Sequence, residues 1–560
     1  MRRRVRFLAL VATVGLAAAA CGGDNTSSAP PTATAASGTT VARGTTTAAG
    51  STSTGGAATT STPAGQGCTA ARAGGSVTVG TFGSLTSFDP VASPASGTGG
   101  GVEMAAVYDT LMRWNPDTGK HEPRVAESLE PNADFTQWTL KLRPGLKFGD
   151  GSPLTAEAVR WNVARHQDPK NNSRALALTQ TITGMDVVDD RTLVFHLSEP
   201  WAQFPYLLAN EPGMVINPAK AQALGADFAK MPTGGGVGPY EVTRFAPGEE
   251  IVLQAKSDYW DGPVCIGQVR FIRVPGGQAT YDAFKKGEVD VALIREPKVN
   301  AQIRADGVPF TSTPDSAGAV ILINNGARGT TPPTADPRLR RAVQHAIDVN
   351  LYNQRINDGT GKPTSAVISD TSRYYQGLPG PAHDLEAAKR LVAEVKAEGK
   401  WDGKISLLCG NTPQGVDTGV LFKGMLEAAG FEVNVESVDQ PTSLKRVIVD
   451  SNYQLACWGL GIREANAWVT LYNNLSSKSL SNYAGYSNPA MDQALDAMKK
   501  ATSLDAEKAA LRTIQDIWND TAPMEVYETS ENFTIWKDKV KNIEFTQNWM
   551  LYLDDAYIEK

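Results

Sequence analysis

Five cysteines, five histidines and two adjacent acid pairs are the residues of this chain whose types and spacing suit covalent, metal or acid–base chemistry. Cys409 ends the apolar run Ile405-Ser-Leu-Leu-Cys409, and Cys457 ends Tyr453-Gln-Leu-Ala-Cys457. Two parallel neighbouring strands would bring these thiols to one level, which favours a Cys409–Cys457 disulfide. Cys68 and Cys265 each precede a strand-like run, 76–80 and 268–274, and would meet at one sheet edge. Four thiols allow three connectivities, and free buried cysteines are the alternative reading. His121, His166, His196, His345 and His383 stand far apart without ligand spacing, so no metal site is expected. No Gly-x-Ser-x-Gly elbow is present: Gly485-Tyr-Ser-Asn-Pro489 lacks its second glycine. The run Gly97-Thr-Gly-Gly-Gly-Val102 misses dinucleotide spacing and reads as a loop. Asp189-Asp190 and Asp554-Asp555 lie in extended or loop segments where adjacent side chains point apart, which is unsuited to paired acid–base work. The chemistry left is binding, with no catalytic residues and no cofactor.

The elements that must position such binding groups exceed one compact core. A chain of 560 residues, 41% hydrophobic and 20% charged, predicts two or three lobes. A net charge of -6 and a pI near 5.6 provide no basic field for nucleic acid. The cationic start Met1-Arg-Arg-Arg-Val-Arg-Phe-Leu and an apolar run over 7–20, too short to span a bilayer as a mature helix, read as a signal peptide. Ala18, Ala19 and Ala20 run into Cys21, which resembles a bacterial lipobox whose cysteine is diacylated. Ordinary signal-peptidase cleavage is the alternative, and Arg3-Arg4 leaves twin-arginine export open. An even four cysteines after Cys21 in an exported chain favours bridges. Residues 22–74 are rich in Thr, Ala, Ser, Gly and Pro without an aromatic residue, which predicts a flexible stalk.

Folding begins near Gly75 with an alternating strand over 76–80. Strands over 138–142, 192–197, 240–245 and 251–255 suggest an antiparallel insert. Gly145, Gly149 and Gly151 suit turns with positive φ, and Thr155 suits a cap for a helix over 156–165. Helical spacing follows over 279–286, 336–356, 385–398, 416–429, 488–501 and 504–520, with strands over 404–409, 431–438 and 453–458. That alternation predicts a parallel α/β lobe.

The motifs Phe88-Asp-Pro90, Tyr108-Asp-Thr-Leu111, Pro123-Arg-Val-Ala-Glu-Ser128, Leu142-Arg-Pro-Gly145, Lys147-Phe-Gly-Asp-Gly151, Thr155-Ala-Glu157, Gly236-Val-Gly-Pro-Tyr240, Tyr259-Trp260, Gly287-Glu-Val-Asp290 and Asp336-Pro-Arg-Leu-Arg-Arg-Ala342, closed by 483–491, follow in this order. The order resembles the peptide-type (family 5) extracellular solute-binding proteins of ABC importers. The resemblance implies an α/β, two-lobed periplasmic-binding-protein type II fold with an inserted third domain and mixed sheets flanked by helices. It places one lobe at 75–107, 238–318 and 528–560, the inserted domain at 108–237 and the other lobe at 319–527, with crossings near Asn325 and Tyr527. It implies a monomeric, extracytoplasmic receptor on a lipid anchor that captures a peptide or other small solute and delivers it to membrane permease subunits. An extracellular hydrolase and a surface signalling or adhesion receptor are the competing classes.

In that family the peptide's amino group sits on an aspartate just after the strand equivalent to 453–458. Counting back without gaps from Tyr472-Asn-Asn-Leu-Ser476 puts Arg463 there, reversing the charge. An ammonium against a guanidinium would cost on the order of several kcal/mol. The guanidinium fork instead suits a carboxylate or phosphate. Arg463 is therefore expected to face an acidic or hydrogen-accepting ligand group. Pairing with Glu464 or another acid is the alternative, and a one-residue register shift would give the role to Glu464. Trp458, Trp468, Tyr527 and Trp549 are candidate aromatic walls. The loop at Ser84 and Leu85 could offer backbone groups, and Asn325 a hydrogen bond near the crossing. A metal-chelate cargo stays open.

Overall fold

The computed structural model describes residues 68–560 apart from 70, 82, 84 and 98. The leader, Cys21, Ser84 and residues 22–67 lie outside the described residues.

Alternating burial of Val77 and Val79 makes Ser76–Thr81 a strand with one face on a core. It pairs in parallel with Gln268–Arg273, which continues antiparallel into Glu250–Ala255 and then Tyr240–Ala246. These last two strands thus belong to the large sheet rather than to the insert expected from their short connections. At the far end of the same 11-stranded sheet, Lys404–Gly410 lies parallel to both Glu432–Val438 and Leu455–Trp458. Two long antiparallel strands, Phe310–Ile323 and Met524–Trp536, join the halves. The insert is a four-stranded antiparallel sheet of Ala126–Pro131, Gln137–Leu142, Thr192–Leu197 and Ile182–Asp189.

Leu407 and Leu408 pair with Leu455 and Ala456, so Cys409 and Cys457 stand level and form a disulfide with Cα atoms 4.9 Å apart. Cys68 and Cys265 are joined at the edge where Ser76 pairs with Gln268. Gly74 N–H donates to the Cys265 carbonyl at 2.8 Å, and Arg72 lies 4.1 Å from the Tyr557 ring centroid. The chain is therefore held from Cys68, inside the expected stalk. A single helix over 336–356 is also corrected. Ile347 turns extended, and Asp348 caps a second helix by accepting from Asn350 and Leu351 N–H, giving Pro337–Ala346 and Val349–Ile356. Gly145 and Gly151 have positive φ, whereas Gly149 does not: a Cβ there would meet a Glu241 carboxylate oxygen at 2.2 Å.

Three of the motifs meet in one buried charge network. Asp109 accepts from Tyr259 Oη at 2.8 Å and pairs with Arg113 at 3.2 Å, while Arg124 pairs with Asp261 and Asp554. Burial pushes the Asp554 carboxyl up, but Arg113 and then Arg124 hold it below the usual aspartate range. Asp554 is thus a packing acid, tied to the guanidiniums of Arg113 and Arg124.

Candidate functional site

The long strand Phe310–Ile323 breaks register against Met524–Trp536 between Asp315 and Ala319, with Ala317 in the left-handed region at φ 47°. The extra length lets another segment dock. Ser316 and Ile462 exchange backbone hydrogen bonds at 3.0 and 2.8 Å, and Leu460 N–H donates to the Ala317 carbonyl. Gly459 is required at this approach, because a Cβ there would lie 2.5 Å from the Gly318 carbonyl oxygen.

Docking of 459–463 on the bulge delivers Arg463 to Asp315. Arg463 Nε lies 2.6 Å from Asp315 Oδ1, and Nη2 donates to Oδ2 at 3.0 Å. Nη1 donates to Asn548 Oδ1 at 3.2 Å, and the guanidinium lies 3.9 Å from the Trp549 ring centroid. Asn548 in turn donates to Asn210 Oδ1 at 3.0 Å, and Gly97 N–H donates to the Asn548 carbonyl at 2.8 Å. The glycine run reaches this turn through Gly97, but Gly101 and Val102 already begin the helix Gly101–Tyr108, so it is a loop only in part. A second guanidinium, Arg295, sits 5.0 Å from the same ring centroid and donates from Nε to Asn532 Oδ1. Burial pulls Arg295 below the usual arginine range; Asp315 opposes the fall and Arg463 adds to it. Asn548 and Trp549 are both left-handed, at φ 55° and 56°, an unfavourable conformation for a tryptophan.

Of the expected site residues, Arg463 and Trp549 come together here. Glu464 does not: its carboxylate accepts from Arg373 N–H at 2.7 Å and so anchors another loop. Trp468 is 2% exposed, bonded through Nε1 to the Leu495 carbonyl and packed on Trp201 and Tyr472. Tyr527 packs edge-on to Tyr352 and Phe422 in the core of the opposite sheet face. Both are core residues rather than walls, because each already has aromatic neighbours on a buried face. Leu85 is likewise fully buried. Trp458, half-buried, ends its strand opposite Val320. Asn325 ties the crossing together, donating to the Ile323 and Pro523 carbonyls. Asp315, Arg295, Asn532 and Asn548 escaped sequence reading, since nothing in their local spacing marks them; only the bulge does. A groove of about 780 Å³ along 361–383 reaches the same bulge, where Ser369 N–H donates to Ser316 Oγ at 2.9 Å.

Among the described residues no group of three His, Cys, Asp or Glu could hold a metal ion, and no helix is long and apolar enough to cross a membrane. Residues 120–482 match the model of the bacterial extracellular solute-binding proteins, family 5. The chain is 28% identical to Protein XP55 of Streptomyces lividans over 429 residues, covering 73% of this chain and 76% of that protein. It is 26% identical to the probable D,D-dipeptide-binding periplasmic protein DdpA of Escherichia coli over 462 residues, covering 78% and 86%. The structure of the ABC transporter-associated periplasmic binding protein DppA of Helicobacter pylori, in complex with the peptide STSA, superposes with a TM-score of 0.73 at 22% identity. That match covers 87% of this chain and 99% of the other, so the two-lobed α/β fold is shared. With this fold and a family match spanning most of its length, the chain belongs to the bacterial extracellular solute-binding proteins of family 5, non-enzymatic components of transport.

Proposed function

We propose that this protein is the lipid-anchored receptor of an ABC importer, which captures a peptide or another small, acidic solute between two lobes and hands it to permease subunits. Cys21 would carry the acyl chains on the extracytoplasmic face of the cell membrane, and two or three chains give stable anchoring. The lobes are 75–107 with 238–318 and 528–560, and 319–527, with 108–237 inserted.

The observation that supports this reading is the junction at Arg463. Arg295, Asp315, Asn532 and Trp549 belong to the first lobe, Asn210 to the insert and Arg463 to the second lobe. A solute held there touches all three, and its differential affinity for the closed arrangement drives closure. The D,D-dipeptide named for the Escherichia coli relative and the peptide bound to the Helicobacter pylori protein favour peptide cargo. An acidic cargo is proposed from Arg463, whose guanidinium Asp315 pairs in this arrangement.

Mass spectrometry of solute released from natively expressed protein is expected to give one species at one per monomer, whose return contracts the scattering profile. A profile unchanged by every solute found in the growth medium would overturn the receptor reading. Acyl attachment is expected to vanish in Cys21→Ser, measured by labelled palmitate incorporation.

A further inference from the structure

We infer that the insert is a clasp: Glu199, Trp201 and Gln203 grip Lys499, Trp468 and Glu507 of the second lobe, and this contact sets how much of the protein is closed before any solute arrives. The inference rests on the lobe division proposed above and adds to it what holds the lobes together.

Connectivity makes the contact decisive. The insert, 108–237, continues in the chain only into the first lobe, and the second lobe hangs on the paired strands Phe310–Ile323 and Met524–Trp536. Among the described residues no covalent link joins the insert to the second lobe; the two disulfides lie elsewhere. A swing of the second lobe about those strands therefore has to part side chains 300 positions apart.

The grip has an apolar centre and a charged rim. Trp201 is fully buried, packs on Phe204 of the insert and meets Trp468 with ring centroids 5.6 Å apart. Lys499 Nζ pairs with Glu199 at 2.6 Å and lies 5.6 and 5.2 Å from the Trp201 and Trp468 ring centroids. Ala202 N–H donates to the Lys499 carbonyl at 3.3 Å, and Gln203 Nε2 donates to Glu507 Oε1 at 2.6 Å. Such a contact is able to let go. The Glu199 side chain is 49% exposed, and the buried Trp201 Nε1 has no acceptor among the described residues. Parting returns that N–H and the Lys499 ammonium to water, which offsets part of the apolar surface exposed, as at interfaces between domains that move.

The clasp also meets the junction. Glu464, next to Arg463, accepts from Arg373 N–H at 2.7 Å. The Arg373 guanidinium donates to the Gly119 carbonyl of the insert at 2.7 Å and lies 3.9 Å from Glu507. A shift of 459–464 on the bulge thus moves a residue that holds the insert.

The test compares scattering profiles of the full exported chain freed of solute. Glu199→Lys sets two ammonium groups against each other at a half-exposed position and is expected to lower the closed-to-open ratio about tenfold, seen as a larger radius of gyration. Adding Lys499→Met removes the repulsion and is expected to restore the parent profile, which a loss of fold would not allow. Gln203→Ala is expected to shift the ratio the same way by about threefold. Identical solute-free profiles of the parent and Glu199→Lys overturn the clasp, whatever solutes do; so does an expanded Glu199→Lys profile that Lys499→Met fails to restore. A tryptic digest of casein, as a source of short peptides, is expected to contract Glu199→Lys towards the parent. Expansion reversed by Lys499→Met but indifferent to the digest supports the clasp and removes peptide as the cargo.

Discussion

Arg463 and Asp315, 148 positions apart in the chain, form a two-point ion pair at the place where the long strand Phe310–Ile323 breaks register. The pair exists because two independent features coincide. Asp315, paired with Ser530, is the last rung before a bulge, and a glycine-flanked segment after Leu455–Trp458 docks on that bulge.

Arg463→Ala removes the guanidinium that ion-pairs with buried Asp315 and is expected to cost about 3 kcal/mol of stability. Asp315→Asn combined with Arg463→Ala is expected to recover part of that loss, because the buried carboxylate that Arg463 paired is then neutral. Thermal unfolding of the single and double variants measures the difference. Equal stability of Arg463→Ala and the unsubstituted protein would show that the pair does no structural work.

Gly459→Ala places a methyl group 2.5 Å from the Gly318 carbonyl oxygen. The segment 459–463 is expected to lift from the bulge, weakening solute binding at least about tenfold, as misplaced binding groups do. Circular dichroism is expected to stay unchanged. Calorimetry with the co-purified solute checks this, and affinity within twofold of the parent contradicts it.

The two disulfides are expected to contribute unequally. They close loops with sequence separations of 48 and 197 residues, so loss of Cys409–Cys457 is expected to cost about 4 kcal/mol and loss of Cys68–Cys265 somewhat more. Cys265→Ser is further expected to open residues 68–74 to proteases, visible as a cut N-terminal to Gly75 in limited proteolysis. Protection of that stretch would mean that the contacts of Gly74 and Arg72 suffice.

Stability is expected to fall between acidic and neutral pH. Glu103 is buried in Gly101–Tyr108 with one carboxylate oxygen unbonded, and burial pushes its pKa up to about 7 from 4.5; burial likewise raises Glu528 to about 7. A carboxyl raised in the fold contributes fully below its unfolded pKa, and that contribution is lost as pH climbs through the folded value. At about 1.4 kcal/mol per unit, Glu103 accounts for about 3 kcal/mol between pH 4.5 and 7. Glu103→Gln is expected to flatten the fall in thermal midpoint from pH 5 to pH 8; parallel curves would refute it. Asp554 has the opposite sign. Arg113 and Arg124 outweigh its burial, so its contribution is present above the unfolded aspartate range and is lost on acidification.

Much of the scaffold was legible from local pattern. Alternation in 76–80, helical spacing from 385 onward and apolar runs ending in Cys409 and Cys457 each report what a few neighbouring residues do, and strand parity is a short-range property. The break at Ile347 was missed because Asp348 competes for backbone N–H groups through a cap that apolar spacing does not register. Trp468 and Tyr527 looked like walls because a tryptophan or tyrosine has the same sequence signature in a core as in a cleft.

By itself the sequence determined the α/β class and the family order of motifs. Those depend on residue type and local period. Only the tertiary structure decided that Arg463 meets Asp315 and shares the Trp549 ring with Arg295, or that Glu464 serves a different loop. Such meetings depend on register across a bulge and on chain segments more than a hundred residues apart, and a shift of one residue along Phe310–Ile323 would send Asp315 to the other face.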